Sequence, residues 1–110
     1  MDAQLKAKWI EALRSGDFKQ GHAALFDDVG EQKIFCCLGV LCETQGTQWG
    51  DIGDQGQLGS IQVRDIGRSF LSKEALDHFG LTEDQQVTLA TMNDDGSDFS
   101  EIADYIESNL

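Results

Sequence analysis

The stretch KIFCCLGVLC, residues 33–42, is the most apolar segment of this chain and has the largest influence on its fold. Ile34 and Phe35 favour a β-strand, whereas residues 38–42 are compatible with a buried helix. Periodicity does not separate the two in a run this short. We predict a short strand that leads into a short helix, with Gly39 allowing another part of the backbone to approach closely.

Helical patterns lie on both sides of this stretch. Residues 3–14 carry apolar side chains at the spacing of one helix face, and Gly16 suits the position after a helix end. In the last third of the chain, Ser72, Thr82 and Asp98 stand where N-cap residues belong. The second and third of these caps are followed, three positions on, by the glutamine or glutamate of a capping box. We therefore predict one N-terminal helix and three C-terminal helices.

The segments between the helices have weaker patterns. Residues 17–30 look irregular, with one candidate turn of helix at residues 23–25. Residues 45–60 contain five glycines, which favours a loop or loose hairpin, and residues 60–64 are a candidate strand. The cluster NDDGS at residues 93–97 is typical of a turn.

Together these elements predict an α+β fold. It is a mainly helical single domain, residues 1–110, with a small two- or three-stranded sheet from about residues 33–64. A chain of this length can bury enough surface for one core. The predicted core consists of Leu5, Trp9, Leu13, Phe35, Leu38, Leu41, Leu76, Leu89, Phe99, Ile102 and Ile106.

Charge is the unusual feature of the composition. The chain has 20 acidic and 8 basic side chains, for a net charge of -12. Such a chain repels nucleic acid, because a binder has to neutralise phosphates with Lys and Arg. Residues 74–110 hold ten of the acids and no Lys or Arg, so the negative charge is concentrated in the last third.

This acidic third has two interpretations. It is a solvated face that keeps the protein in solution and caps its helices, or it is a docking surface for a partner with a basic surface. If the partner is a protein that handles nucleic acid, the carboxylates would take the place of phosphates. The residues predicted to bind such a partner are Glu83, Asp84, Asp94, Asp95, Asp98, Glu101, Asp104 and Glu107.

The sequence offers little for catalysis. Cys36, Cys37 and Cys42 form no disulfide pattern, and their apolar neighbours predict buried free thiols with a raised pKa. Their spacing does not fit a zinc site, and neither an EF-hand nor a phosphate-binding glycine motif is complete. We predict a protein that is not an enzyme, with no catalytic residue, metal or cofactor.

A second hypothesis uses the glycine-rich segment. Trp49, Arg64 and Arg68 could bind a small ligand such as a nucleotide, which the protein would sequester. Trp49 itself has two readings, either as a lid folded back on the core or as an exposed interaction anchor.

Three stretches carry a resemblance to a known family. They are WIEALRSGDFKQG at residues 9–21, FCCLGVLC at 35–42 and LATMNDDGSDFSEIADYI at 89–106. They resemble a family of small uncharacterised proteins carried by phages and by bacterial genomes with phage-derived segments. The resemblance implies a small phage accessory protein made in a bacterial cytoplasm, and it brings no activity and no catalytic residue.

Further expectations concern location and partners. No signal peptide pattern is present at residues 1–14, and the longest apolar run is too short to span a membrane, so we expect a cytoplasmic protein with no membrane contact. The function predicted first is to bind and inhibit a bacterial nucleic-acid-handling or anti-phage defence protein through the acidic C-terminal face. The oligomeric state is not encoded in any pattern of the sequence.

Overall fold

The computed structural model describes residues 1–30, 32–50, 55–64 and 70–110. Its helices are α1 (Ala3–Arg14), α2 (Cys37–Thr44), α3 (Lys73–Phe79), α4 (Glu83–Asp94) and α5 (Phe99–Asn109). Its strands are β1 (Lys19–Gln20), β2 (Phe26–Val29), β3 (Gln32–Phe35), β4 (Gln48–Trp49), β5 (Gly56–Leu58) and β6 (Ile61–Gln62). The α+β fold, with helices predominating, is confirmed.

The apolar stretch forms the predicted strand followed by a helix. β3 ends at Phe35, and α2 begins at Cys37 and buries its first six residues. Gly39 of α2 lies directly against the backbone of Leu25, and a Cβ at this position would overlap the Leu25 carbonyl oxygen. The same carbonyl accepts a hydrogen bond from the Cys36 amide at 3.3 Å. The lack of a side chain at Gly39 therefore sets how closely α2 packs on the preceding loop.

The strands form two small sheets rather than the single sheet predicted over residues 33–64. In the first, β3 lies between β1, which is parallel to it, and β2, which is antiparallel. In the second, β5 lies between β4 and β6, and both pairings are antiparallel. The first sheet begins at Lys19, in a segment predicted to be irregular. The prediction missed these strands because a strand of two to four residues is too short to show an alternating pattern.

The loop before β2 corrects another prediction. Residues 23–25 form no turn of helix, and Ala23 has a φ of 64°, a left-handed conformation that interrupts a helix. Part of the predicted glycine-rich loop, residues 51–54, lies outside the described residues. The predicted strand at 60–64 is confirmed only over Ile61–Gln62.

The C-terminal helices begin as predicted. The Ser72 hydroxyl accepts from the Ala75 amide, and complete capping boxes are present at Thr82 and Asp98. The predicted turn at residues 93–97 starts later, because Asn93 and Asp94 form the last turn of α4.

The core contains the predicted residues with one exception. Leu5 is half-buried, whereas the other ten are buried. α1 packs against α5 and α2, and the Trp9 indole N–H donates to the Cys37 carbonyl at 2.9 Å. Val87 of α4 is 52% exposed. Among the described helices, none has the length and apolar character to cross a membrane.

Candidate functional site: an acidic surface on the last two helices

The eight carboxylates predicted to bind a partner are all exposed. They fall into groups along α4 and α5. One pair lies in the first turn of α4 and a second at its C-terminal end, two acids begin α5, and two more lie further along α5. In that order, the groups are Glu83 and Asp84, Asp94 and Asp95, Asp98 and Glu101, and Asp104 and Glu107.

The turn between α4 and α5 holds its carboxylates in fixed positions. Asp98 accepts from the Glu101 amide at 2.8 Å, and Glu101 accepts from the Asp98 amide at 3.2 Å. Asp94 accepts from the Ala23 amide at 3.0 Å. A carboxylate has about four lone-pair sites, so each of these groups retains the capacity to accept from a partner.

The far end of α5 is different because a basic side chain of α1 lies against it. Arg14 forms ion pairs with Asp104 at 2.7 Å and with Glu107 at 3.0 Å. These hydrogen bonds, first to Asp104 and then to Glu107, raise the pKa of the Arg14 guanidinium above its ordinary value. Within the described residues, two of the eight predicted carboxylates therefore form an ion pair with a basic side chain of this protein. The other six, Glu83, Asp84, Asp94, Asp95, Asp98 and Glu101, are called the acidic surface below.

A buried side chain fixes the α4 end of this surface. Asn93 is 0% exposed, and its Nδ2 donates to the Gly21 carbonyl at 2.8 Å. Its Oδ1 accepts from the Cys37 amide at 3.2 Å and from Gln20 Nε2 at 2.9 Å. The Asn93 carbonyl accepts from His22 Nδ1 at 2.9 Å, which requires a proton on that nitrogen. Asn93 therefore ties α4 to both β1 and α2.

Sequence reasoning missed this cluster, although it joins the three stretches quoted for the family resemblance. Gly21 ends the first stretch, Cys37 lies in the second and Asn93 in the third. A signal was present, because Asn93 follows the core residue Leu89 by four positions, so a polar residue occupies an inward-facing position of the helix.

The three thiols are buried and free, as predicted. Burial raises the pKa of Cys36 to about 11, and the pKa values of Cys37 and Cys42 are also raised by burial. The Cys37 thiol donates to the Leu89 carbonyl at 3.5 Å. Because the thiolate is the nucleophilic form, this environment favours a packing role for these side chains.

The residues of the second hypothesis are placed differently. The Trp49 ring stacks on Phe26 with centroids 4.9 Å apart, and its Nε1 donates to a Glu43 carboxylate oxygen at 2.6 Å. Trp49 is half-buried and packs on the core, which supports the lid reading. Arg64 forms a β-bridge with Leu71. Arg68 lies outside the described residues.

Within the described ranges, no group of three or more His, Cys, Asp or Glu residues is arranged to hold a metal ion.

The fold and its surface define a small, acidic, mainly helical α+β domain. A family model, DUF8296 (domain of unknown function), matches residues 1–58, and the chain belongs to this family. The matched segment includes α1, the first sheet and α2, and it ends before α3. No curated protein and no solved structure matches the chain.

Proposed function

We propose that this protein binds a bacterial protein with a basic surface and inhibits it, with the acidic surface as the contact. The observation that carries the proposal is the exposure of all six carboxylates on a part of the chain, residues 74–110, that contains no Lys or Arg. A dense field of one charge accelerates encounter with the opposite charge and selects against partners of like charge.

The clustering of the charges supports a partner class. Four carboxylates of the acidic surface, Asp94, Asp95, Asp98 and Glu101, are exposed within eight consecutive residues that contain no Lys or Arg. The phosphates of nucleic acid also present closely spaced negative charges. A groove that recognises phosphates with Lys and Arg would therefore also attract this cluster. We infer a nucleic-acid-handling or anti-phage defence protein as the target.

The proposal also includes the kind of protein this is and where in the cell it acts. The resemblance of the three quoted stretches to phage and prophage proteins supports an accessory protein that acts in the bacterial cytoplasm. The buried thiols, with their raised pKa values, support a binding role rather than thiol catalysis.

The test compares two variants that each lose four exposed charges. The first, Glu83→Gln/Asp84→Asn/Asp94→Asn/Asp95→Asn, removes most of the acidic surface. The matched control, Glu11→Gln/Asp17→Asn/Asp27→Asn/Asp28→Asn, removes exposed acids elsewhere. Each immobilised protein captures partners from a bacterial lysate at low salt, and mass spectrometry identifies what is retained.

Wild type and control are expected to retain nucleic-acid-binding proteins that added duplex DNA or high salt releases. The first variant is expected to lose them, because the contact is electrostatic. Equal retention by both variants, or retention that duplex DNA leaves unchanged, would overturn the proposal.

A further inference from the structure

The outward side of α4 combines acidic and apolar character. Carboxylates lie at both of its ends, and a valine and two threonines lie between them. Because successive residues of a helix are rotated by about 100°, these exposed side chains form two adjacent rows. We call this the α4 outer face, which consists of Glu83, Asp84, Val87, Thr88, Thr91, Asp94 and Asp95.

The side chains of α4 depart in part from the usual pattern of apolar residues inside and polar residues outside. Gln86 and Asn93 are buried, whereas Val87 is 52% exposed. Both buried polar side chains have a structural use, since Gln86 Oε1 accepts from the Leu71 amide at 2.6 Å and Asn93 joins α4 to β1 and α2. Folding explains the inward residues, but it gives no reason for an apolar side chain at the centre of an otherwise polar outer face.

The exposed valine is set apart by its surroundings. Single exposed apolar residues are common, but Val87 lies between exposed carboxylates at the two ends of the same helix, with Glu83 and Asp84 before it and Asp94 and Asp95 after it. An apolar centre with a charged rim is the usual arrangement of a protein-binding surface.

We propose that the α4 outer face docks a helical segment of the partner that carries a row of apolar side chains flanked by Lys or Arg. The inference rests on the proposed function and adds which side of the molecule makes the contact and what the partner presents there. The carboxylates at the two ends of the face pair with the basic side chains, and Val87 packs against the apolar row.

Charge complementarity selects this occupant over a second copy of the chain. Two α4 outer faces brought together would oppose eight carboxylates with no basic side chain between them. The 12 residues of α4 span about 18 Å, enough for about three turns of a partner helix.

The experiment uses the full chain labelled with 15N and three synthetic peptides of about 15 residues, a length that permits some helix. The first peptide has leucine on one helix face and arginine on the flanks. The second replaces leucine with glutamine, and the third replaces arginine with glutamate. Titrations monitored by NMR report both the affinity and the amides that shift.

We expect the leucine–arginine peptide to shift amides of residues 83–95 and to bind about tenfold more tightly than the glutamine peptide. The glutamate peptide should not bind. Val87→Thr keeps the side-chain shape and removes apolar area, so it should weaken binding about fourfold, whereas Thr91→Val should strengthen it by a similar factor.

Equal affinity for the leucine and glutamine peptides would overturn the inference and leave a purely electrostatic contact, in which case the proposed function stands. Shifts centred on another surface, such as the exposed side of α1, or no binding by any peptide, would also overturn it. So would a dimer in sedimentation analysis that Val87→Thr dissociates, because a second copy would then cover the face.

Discussion

Asn93 shows how much one side chain contributes when its position is buried and polar. It donates to Gly21 and accepts from Cys37 and Gln20; the bond to Cys37 is buried, and the other two are partly buried. An unmade buried hydrogen bond costs more than a made one contributes. The residue therefore selects one arrangement of α4, β1 and α2 over other packings that bury the same apolar area.

Asn93→Ala is expected to lower the free energy of unfolding by about 2–4 kcal/mol, because it leaves the Gly21 carbonyl and the Cys37 amide without this partner. Chemical denaturation measures the change. Asn109→Ala is the control, since Asn109 is exposed and, among the described residues, its side chain bonds only to the nearby Tyr105 carbonyl, so a change within about 0.5 kcal/mol is expected. A loss below about 1 kcal/mol for Asn93→Ala would contradict the structural role.

At the scale of elements, the contact between α1 and α5 joins the basic end of one helix to the acidic side of the other. Arg14, in the last turn of α1, binds Asp104 and Glu107, and Lys6 donates to the Glu107 carbonyl at 3.3 Å. The guanidinium fork suits a contact with two carboxylates. This contact reduces the repulsion among the acids of α5.

Arg14→Gln is expected to lower the melting temperature more than Lys8→Gln does. Both variants remove one positive charge from α1, but Lys8 is exposed and has no ion pair within the described residues. The difference between the two should be largest at low salt and shrink as salt screens the ion pairs. Thermal unfolding at two salt concentrations measures it. Equal effects of the two substitutions at low salt would contradict the proposed role of the ion pairs.

The sequence predicts helices better than sheets for a physical reason that particular residues illustrate. The caps at Ser72, Thr82 and Asp98 act on amides three positions away, so the signal for each helix start lies within a few consecutive residues of the sequence. β1 pairs with β3 across the chain and has only two residues, Lys19 and Gln20, which carry no periodic signal.

The candidate site, too, could be predicted from the sequence only in part. The eight acids can be read from the sequence, and the apolar face of α5 predicts the exposure of those on that helix; their role in binding a partner stays a prediction. The pairing of Arg14 with Asp104 joins residues 90 positions apart, and the role of Asn93 depends on Gly21 and Cys37, which lie 72 and 56 positions away from it. Contacts of this kind arise only when the elements pack, so they became visible only in the structure.

At the scale of the whole molecule, the net charge of -12 opposes compaction. Added salt should therefore stabilise the protein even though it weakens the ion pairs of Arg14. We expect the melting temperature to rise by several degrees as the Debye length falls from about 30 Å at 0.01 M salt to about 10 Å at 0.1 M. Differential scanning calorimetry in NaCl measures this, with an uncharged osmolyte as the control, and a melting temperature that falls in this range would contradict it.

The packing of α1 on α5 has a consequence for biosynthesis. α1 leaves the ribosome early, whereas α5 follows more than 80 residues later, and translation at roughly 5–20 residues per second delays it by several seconds. During that time the apolar side of α1, with Trp9 and Leu13, lacks its contact with α5. The nascent chain is therefore expected to complete its fold only after α5 has emerged. The segment matched by the family model, residues 1–58, contains α2 but not α5, the other helix that α1 packs against.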